Sequence, residues 1–222
     1  LFRSPYGPDS ADGFTLFHPV TVSEVEHLLS HLDGNKAGGP DGIRPSEVKL
    51  AASSIAPSLT TLINTSLRSG SLPAEFKSAN VTPLFKPGKL NTALPNNYKG
   101  IFLLCVISKG LERIVHVQLS EFLDDTGALS EMQFGFRKGR SCTDLLLSST
   151  DDWLLAMDAK ESTAVAFIDL TKAFDNVDHQ HLLLTLQRNG IGGVALGWLY
   201  DYLSGCQQRV IIYPDTSGPI KI

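Results

Sequence analysis

The chain has 222 residues, 42% of them hydrophobic, and a formal net charge of -4 from 19 Lys and Arg against 23 Asp and Glu. This is an ordinary globular composition with room for a sizeable core in one or two compact units, and it argues against a uniformly basic nucleic-acid binder. No apolar run is long enough to span a bilayer, and no basic-then-apolar leader is present; the expectation is an intracellular protein of nucleus or cytoplasm with no membrane partner.

Residues 1–19 carry Pro5, Gly7, Pro8, Gly13 and Pro19 and read as an extended arm. Thr21-Val22-Ser23-Glu24 has capping-box spacing, and Val25, Leu28, Leu29 and Leu32 follow at helical period until Gly34. Asn35 to Pro45 is a Gly/Pro loop. A second helix is predicted from about Ser46 to Ser53, and a third from Ile55, Leu59, Leu62, Ile63 and Leu67 up to Gly70. Asn80 to Phe85 reads as a strand and Lys86 to Asn97 as a turn-rich loop. Ile107, Leu111, Ile114, Val115, Leu119 and Phe122 mark a long amphipathic helix, in which Gly110 costs about 1 kcal/mol relative to alanine. Asp144 to Lys160 is expected to be helical.

The next run, Ala164-Val165-Ala166-Phe167-Ile168-Asp169-Leu170, reads as a buried strand ending in a carboxylate. A carboxylate there is costly unless it meets a cation, a donor or water. Asp175 reads as the residue that opens the following helix, His179 to Asn189, which closes at Gly190. Val194 to Leu203 is a short helix around Trp198 and Tyr202, and Arg209 to Tyr213 with Gly218 to Ile222 form a hairpin. His179 and His181 are two apart and do not share a helix face, and Asn189-Gly190-Ile191-Gly192-Gly193 lacks the preceding strand of a dinucleotide fingerprint. Cys105, Cys142 and Cys206 are odd in number and far apart, which suggests a reducing compartment and offers no metal-ligand spacing. There are no internal repeats.

Charge is unevenly spread. Residues 77–140 hold 9 Lys and Arg against 5 Asp and Glu, while the remainder is acidic. Phosphate contacts would use this block. Within it, Gln133-Phe134-Gly135-Phe136-Arg137-Lys138-Gly139-Arg140 interleaves rings with cations. The segment suits a nucleic-acid backbone, with Gln133, Phe136, Arg137, Lys138 and Arg140 as contacts; it suits equally a pair of core phenylalanines beside an exposed basic turn.

Four segments in order, Gly39-Pro40-Asp41-Gly42-Ile43, Asn80 to Gly88 with Asn97-Tyr98-Lys99, Gln133 to Ser141, and Phe167-Ile168-Asp169-Leu170 with Ala173-Phe174-Asp175, resemble the reverse transcriptase of non-LTR (LINE-type) retrotransposons over nearly the whole chain. The resemblance implies an α+β fold, helix-rich fingers plus a partial palm whose antiparallel sheet carries Asp169. The expected division is an arm and helix at 1–34, a fingers-like region at 35–160 and a partial palm at 161–222. It implies a nucleotidyltransferase that makes DNA on an RNA template from a DNA primer and deoxynucleoside triphosphates with Mg2+. Asp169 would be the catalytic metal ligand, with the Leu170 carbonyl as a second. Phe174 would exclude a ribonucleotide 2′-hydroxyl, and Lys86 and Lys99 would neutralise the triphosphate.

The sequence departs from the family in having Lys99-Gly100 where Arg-Pro is usual, and in lacking the Tyr/Phe-Ala-Asp-Asp sequence that carries the other metal aspartates. Beginning at Leu1 and ending at Ile222, it reads as a fragment, expected to be inactive alone. The alternative is a non-catalytic RNA-binding remnant or a decayed copy of an element.

Overall fold

A computed structural model describes residues 13–222; the calls on Pro5, Gly7 and Pro8 lie outside the described residues. The chain divides into two compact units, one of residues up to Gln118 together with Leu183–Ile222, the other Leu119–Leu182. Helices α1 (Val22–Ser30), α2 (Pro45–Leu50), α3 (Ala52–Ser69) and α7 (Gly193–Tyr202) belong to the first unit, as do strands β1 (Ser78–Phe85), β2 (Tyr98–Leu104), β3 (Gln207–Ile212), β4 (Asp215–Thr216) and β5 (Ile220–Lys221). Helix α5 (Cys142–Asp158) belongs to the second, and α4 (Val106–Asp125) and α6 (His179–Arg188) run through the two boundaries.

Local chemistry explains most of these limits. Thr21 and Glu24 form the capping box of α1 with both reciprocal bonds present, and Ser141 and Asp144 do the same for α5. Gly70 ends α3 in the left-handed region, at φ 67°. The helix read from Ser46 to Ser53 instead stops at Leu50, because Ala51 leaves helical geometry before the chain restarts as α3. Gly110 is not merely a weak helix former. A Cβ there would lie 3.1 Å from Leu28 Cδ2, so its absence lets α1 approach α4.

The core of the first unit lies among α1, α3, α4, α7 and one face of the sheet. Val25, Ala56, Ile63, Leu67, Ala79, Val81, Leu111, Ala195 and Trp198 are buried. An aromatic chain runs Phe14–Phe17–Trp198–Tyr202 with centroid spacings of 5.2, 5.8 and 5.4 Å. The buried indole Nε1 donates to Ser66 Oγ at 3.0 Å. The described part of the arm is docked: Phe14 pairs with Ile191, and the Val20 amide donates to Asn64 Oδ1 at 2.8 Å. By contrast, no residue of Leu119–Leu182 is buried.

The sheet runs β2-β1-β3-β4, with β5 also on β3. The resemblance implied an antiparallel sheet carrying Asp169, and both parts are corrected. β1 pairs antiparallel with β2 but parallel with β3, so the sheet is mixed. After β2 the chain passes through helices before β3 reaches the free edge of β1, a long connection that permits parallel pairing where a hairpin would not. Residues 161–170 form no strand, and every one of them is exposed. A strand persists only if its backbone finds a ladder partner, and among the described residues no strand pairs with this run. The α+β class itself stands.

Candidate active-site segment and the charged hairpin

In the unit Leu119–Leu182, Asp169 follows Phe167 and Ile168, which are 90% and 87% exposed rather than buried. The turn after it is held by Asn176 Nδ2 donating to the Thr171 carbonyl at 2.9 Å and the Asn176 amide donating to the Lys172 carbonyl at 3.1 Å, with Lys172 at φ 50°. Asp175 does not open the next helix. Asp178 does so: its Oδ1 accepts the His181 amide at 2.8 Å and its carbonyl accepts the Leu182 amide at 2.9 Å. The N-cap must sit three residues before the amide it satisfies, and α6 starts at His179, so position decides between the two aspartates.

Phe174 is 79% exposed and therefore no core residue; it meets Phe136 edge-to-face at 6.2 Å. Phe136, at φ 61°, is 90% exposed, so the two core phenylalanines that the sequence left open are not found there. The pairing of Phe136 with Phe174 was not foreseen, and no sequence signal joins positions so far apart.

The cations of this segment are not equivalent. Arg137 donates through Nε and Nη2 to Asp124 Oδ1 at 3.1 and 2.8 Å and through Nη1 to the Ser130 carbonyl at 2.9 Å, leaving its side chain 10% exposed. Arg140 binds the Glu131 carboxylate and carbonyl and lies over the Phe134 ring at 5.5 Å. Lys138 is exposed and pairs with no carboxylate among the described residues. Gln133 Nε2 donates to the Gly135 carbonyl at 3.3 Å.

In the other unit, Lys86 and Lys99 lie on the two arms of one hairpin. Leu84 pairs with Lys99 and Phe85 with Tyr98, and the Lys86 amide extends the ladder to the Asn97 carbonyl at 2.8 Å. Side chains alternate between sheet faces, so Lys86 and Lys99 share one, as diagonal neighbours about 7–8 Å apart along the ladder. The tip is pinned by its own groups. Lys86 Nζ donates to the Asn96 carbonyl at 2.9 Å, Asn97 Nδ2 to the Asn91 carbonyl at 2.7 Å and Tyr98 OH to the Thr92 carbonyl at 2.9 Å. The Gly39-Pro40-Asp41-Gly42 segment is a latch. A Cβ on Gly39 would sit 2.4 Å from the Cys105 amide nitrogen, so only glycine lets this loop lie on the β2–α4 junction. Burial, with Asp41 beside it, pushes the Cys105 thiol up, keeping it protonated.

A magnesium ion takes several hard oxygen ligands. Among the described residues no three His, Cys, Asp or Glu side chains gather to hold a metal. Asp169 and the Leu170 carbonyl supply an incomplete set, so these residues do not by themselves fit a metal centre.

The model of the family described as "Reverse transcriptase (RNA-dependent DNA polymerase)" matches residues 85–217, from the Lys86 hairpin through Asp169 to the last strands. The chain belongs to the reverse transcriptase family. Its curated relatives come from non-LTR elements. It is 32% identical over 191 residues to a probable RNA-directed DNA polymerase from transposon X-element of Drosophila melanogaster, covering 86% of this chain and 20% of that protein. It is 32% identical over 169 residues to the RNA-directed DNA polymerase from mobile element jockey of the same species, covering 76% and 18%. It is 28% identical over 207 residues to a retrovirus-related Pol polyprotein from type-1 retrotransposable element R1 of Bradysia coprophila, covering 91% and 19%. This reverse transcriptase chain thus spans about a fifth of the length of the curated relatives it matches.

Proposed function

We propose that this chain forms fingers-like (35–160) and partial palm (161–222) regions of a non-LTR retrotransposon's RNA-directed DNA polymerase. RNA is its template, and deoxynucleoside triphosphates are added to a DNA primer. The observation that carries this reading is the antiparallel register that sets Lys86 and Lys99 on one face of a pinned hairpin, at the start of the family match. Two ammonium groups so placed suit a triphosphate, whose charge a polymerase must neutralise. Lys99 serves as a point charge in place of the bidentate fork of arginine.

Asp169 contributes one carboxylate toward the divalent metal on which such polymerases depend, with Leu170 offering its carbonyl. Exposed Phe174 stands where a ring can close against a sugar and exclude a 2′-hydroxyl. In the basic segment Lys138 is the cation open to phosphate, while Arg137 and Arg140 mainly hold the loop that presents it.

The test is deoxynucleotide incorporation on a primed RNA template with magnesium. These 222 residues alone contain no Tyr/Phe-Ala-Asp-Asp sequence, and no incorporation is expected from them. Grafted in place of the matching span of the jockey polymerase, they are expected to support synthesis. Asp169→Ala in the graft should abolish it, and Phe174→Ala should admit ribonucleotides. Synthesis unaffected by Asp169→Ala would refute the assignment.

A further inference from the structure

Helix α1 ends in a feature that none of the sequence motifs marks. His27, in its last turn, and His31, its C-cap, are four residues apart. Residues at that spacing are neighbours on one helix face. Their rings are in contact, with centroids 4.1 Å apart and planes tilted by 32°. Both residues are exposed, while Val25 and Leu29 of the same helix are buried.

The hydrogen bonds decide which nitrogen of His31 is available. Nδ1 lies 2.8 Å from the His27 carbonyl oxygen. A carbonyl only accepts, so Nδ1 carries the proton, and in the neutral ring the lone pair is on Nε2. Ser30 Oγ gives its own proton to the same carbonyl at 2.9 Å, so at 3.2 Å from Nδ1 it too accepts. A ring N–H held in this way by a backbone carbonyl is the support that metal-ligating histidines commonly have; it fixes the tautomer and orients the ring.

We propose that His27 and His31 form a two-imidazole site for a divalent transition metal of the zinc class, with water in the remaining coordination positions. Zinc–imidazole bonds of about 2.0–2.1 Å at a near-tetrahedral angle set two ligand nitrogens about 3.3 Å apart. Rings already 4.1 Å apart reach that separation by small side-chain rotations. The place also favours a cation, because the negative end of the helix dipole lies at the C-terminus of α1. Imidazole suits zinc, copper and nickel, whereas Mg2+ takes oxygen ligands. Such a site needs nothing from the polymerase reading. Bound metal ties the last turn of α1 to its cap, at the end of the helix that approaches α4 at Gly110.

Zinc chloride titrated calorimetrically into the 222-residue chain, with thermal melts alongside, tests the site without requiring polymerisation. At ten times its Kd, Zn2+ should raise the melting midpoint by about 3–5 °C, and Mg2+ at the same concentration should not. His27→Gln and His31→Gln should each weaken zinc binding by at least about tenfold, since loss of a mere supporting partner already costs that much. His179→Gln, at another exposed histidine, should leave the affinity unchanged. In the unsubstituted chain zinc should protect His27 and His31, and not His179, from ethoxyformylation by diethyl pyrocarbonate read by mass spectrometry, a measurement that needs no variant to fold. Unprotected His27 and His31, an unchanged zinc affinity in both variants, an equal midpoint shift with Mg2+, or one zinc shared between two chains in a metal-induced dimer would each overturn the proposal.

Discussion

Two carboxylates in the larger unit show how burial and partners set opposite signs. The desolvation of Asp201 raises its pKa, but the Leu72 amide at 2.7 Å and Lys77 Nζ at 2.7 Å more than offset this and hold it below the usual range. Its stabilisation is present at neutral pH and is lost as pH falls through the lowered folded value. Burial pushes Glu112 up, against its Ser108 bond and Lys109. That group favours the folded state when protonated, and its contribution is lost as pH rises through the raised value. Thermal melts should therefore separate the two. Asp201→Asn should lower the midpoint at neutral pH and matter little in acid. Glu112→Gln should raise it at neutral pH and matter little in acid. Equal shifts at both pH values would contradict the assignment. Tyr202, pushed up to about 12 by burial, then by Glu112 and Cys206, adds an alkaline counterpart of the Glu112 effect.

Among the elements, the loop-to-sheet latch is the sharpest case of a sequence motif whose reason is tertiary. Gly39 belongs to a motif that carried the family resemblance, yet its observed task is mechanical. The next backbone lies where a side chain would be. Gly39→Ala must displace backbone rather than a flexible side-chain end, and is expected to cost about 1–3 kcal/mol in chemical unfolding. A change under about 0.5 kcal/mol would show that the loop lifts away freely. At the hairpin, the family resemblance gave Lys86 and Lys99 a joint role, and the register, which no local signal announces, sets them on one face. Helix starts were legible because a cap and its amide lie within three residues of each other. The exception was Asp175: with the helix starting at His179, only Asp178 stands where its carboxylate can accept the His181 amide.

Across the molecule, order is unequal. Among the described residues every buried side chain sits in the unit that includes α1, α3 and α7, and none in Leu119–Leu182. Native-state hydrogen exchange should find its slowest amides in α3 and β1. Amides 164–170 should exchange near the unprotected rate, because they make no ladder bonds among the described residues. Protection there comparable to β1 would mean that the run has a partner strand in solution.

The sequence by itself determined the family, the α+β class and most of the helices, with the caps of α1 and α5. Those signals reside in short stretches, where a cap, a period or a motif is complete within a few positions. Only the tertiary structure decided that Asp169 lies on exposed irregular backbone, that Arg137 and Arg140 are engaged by Asp124 and Glu131 while Lys138 is open, and that Lys86 and Lys99 share a face. Strand formation and the fate of a charge depend on what a distant part of the chain brings alongside, and spacing in sequence carries no record of it.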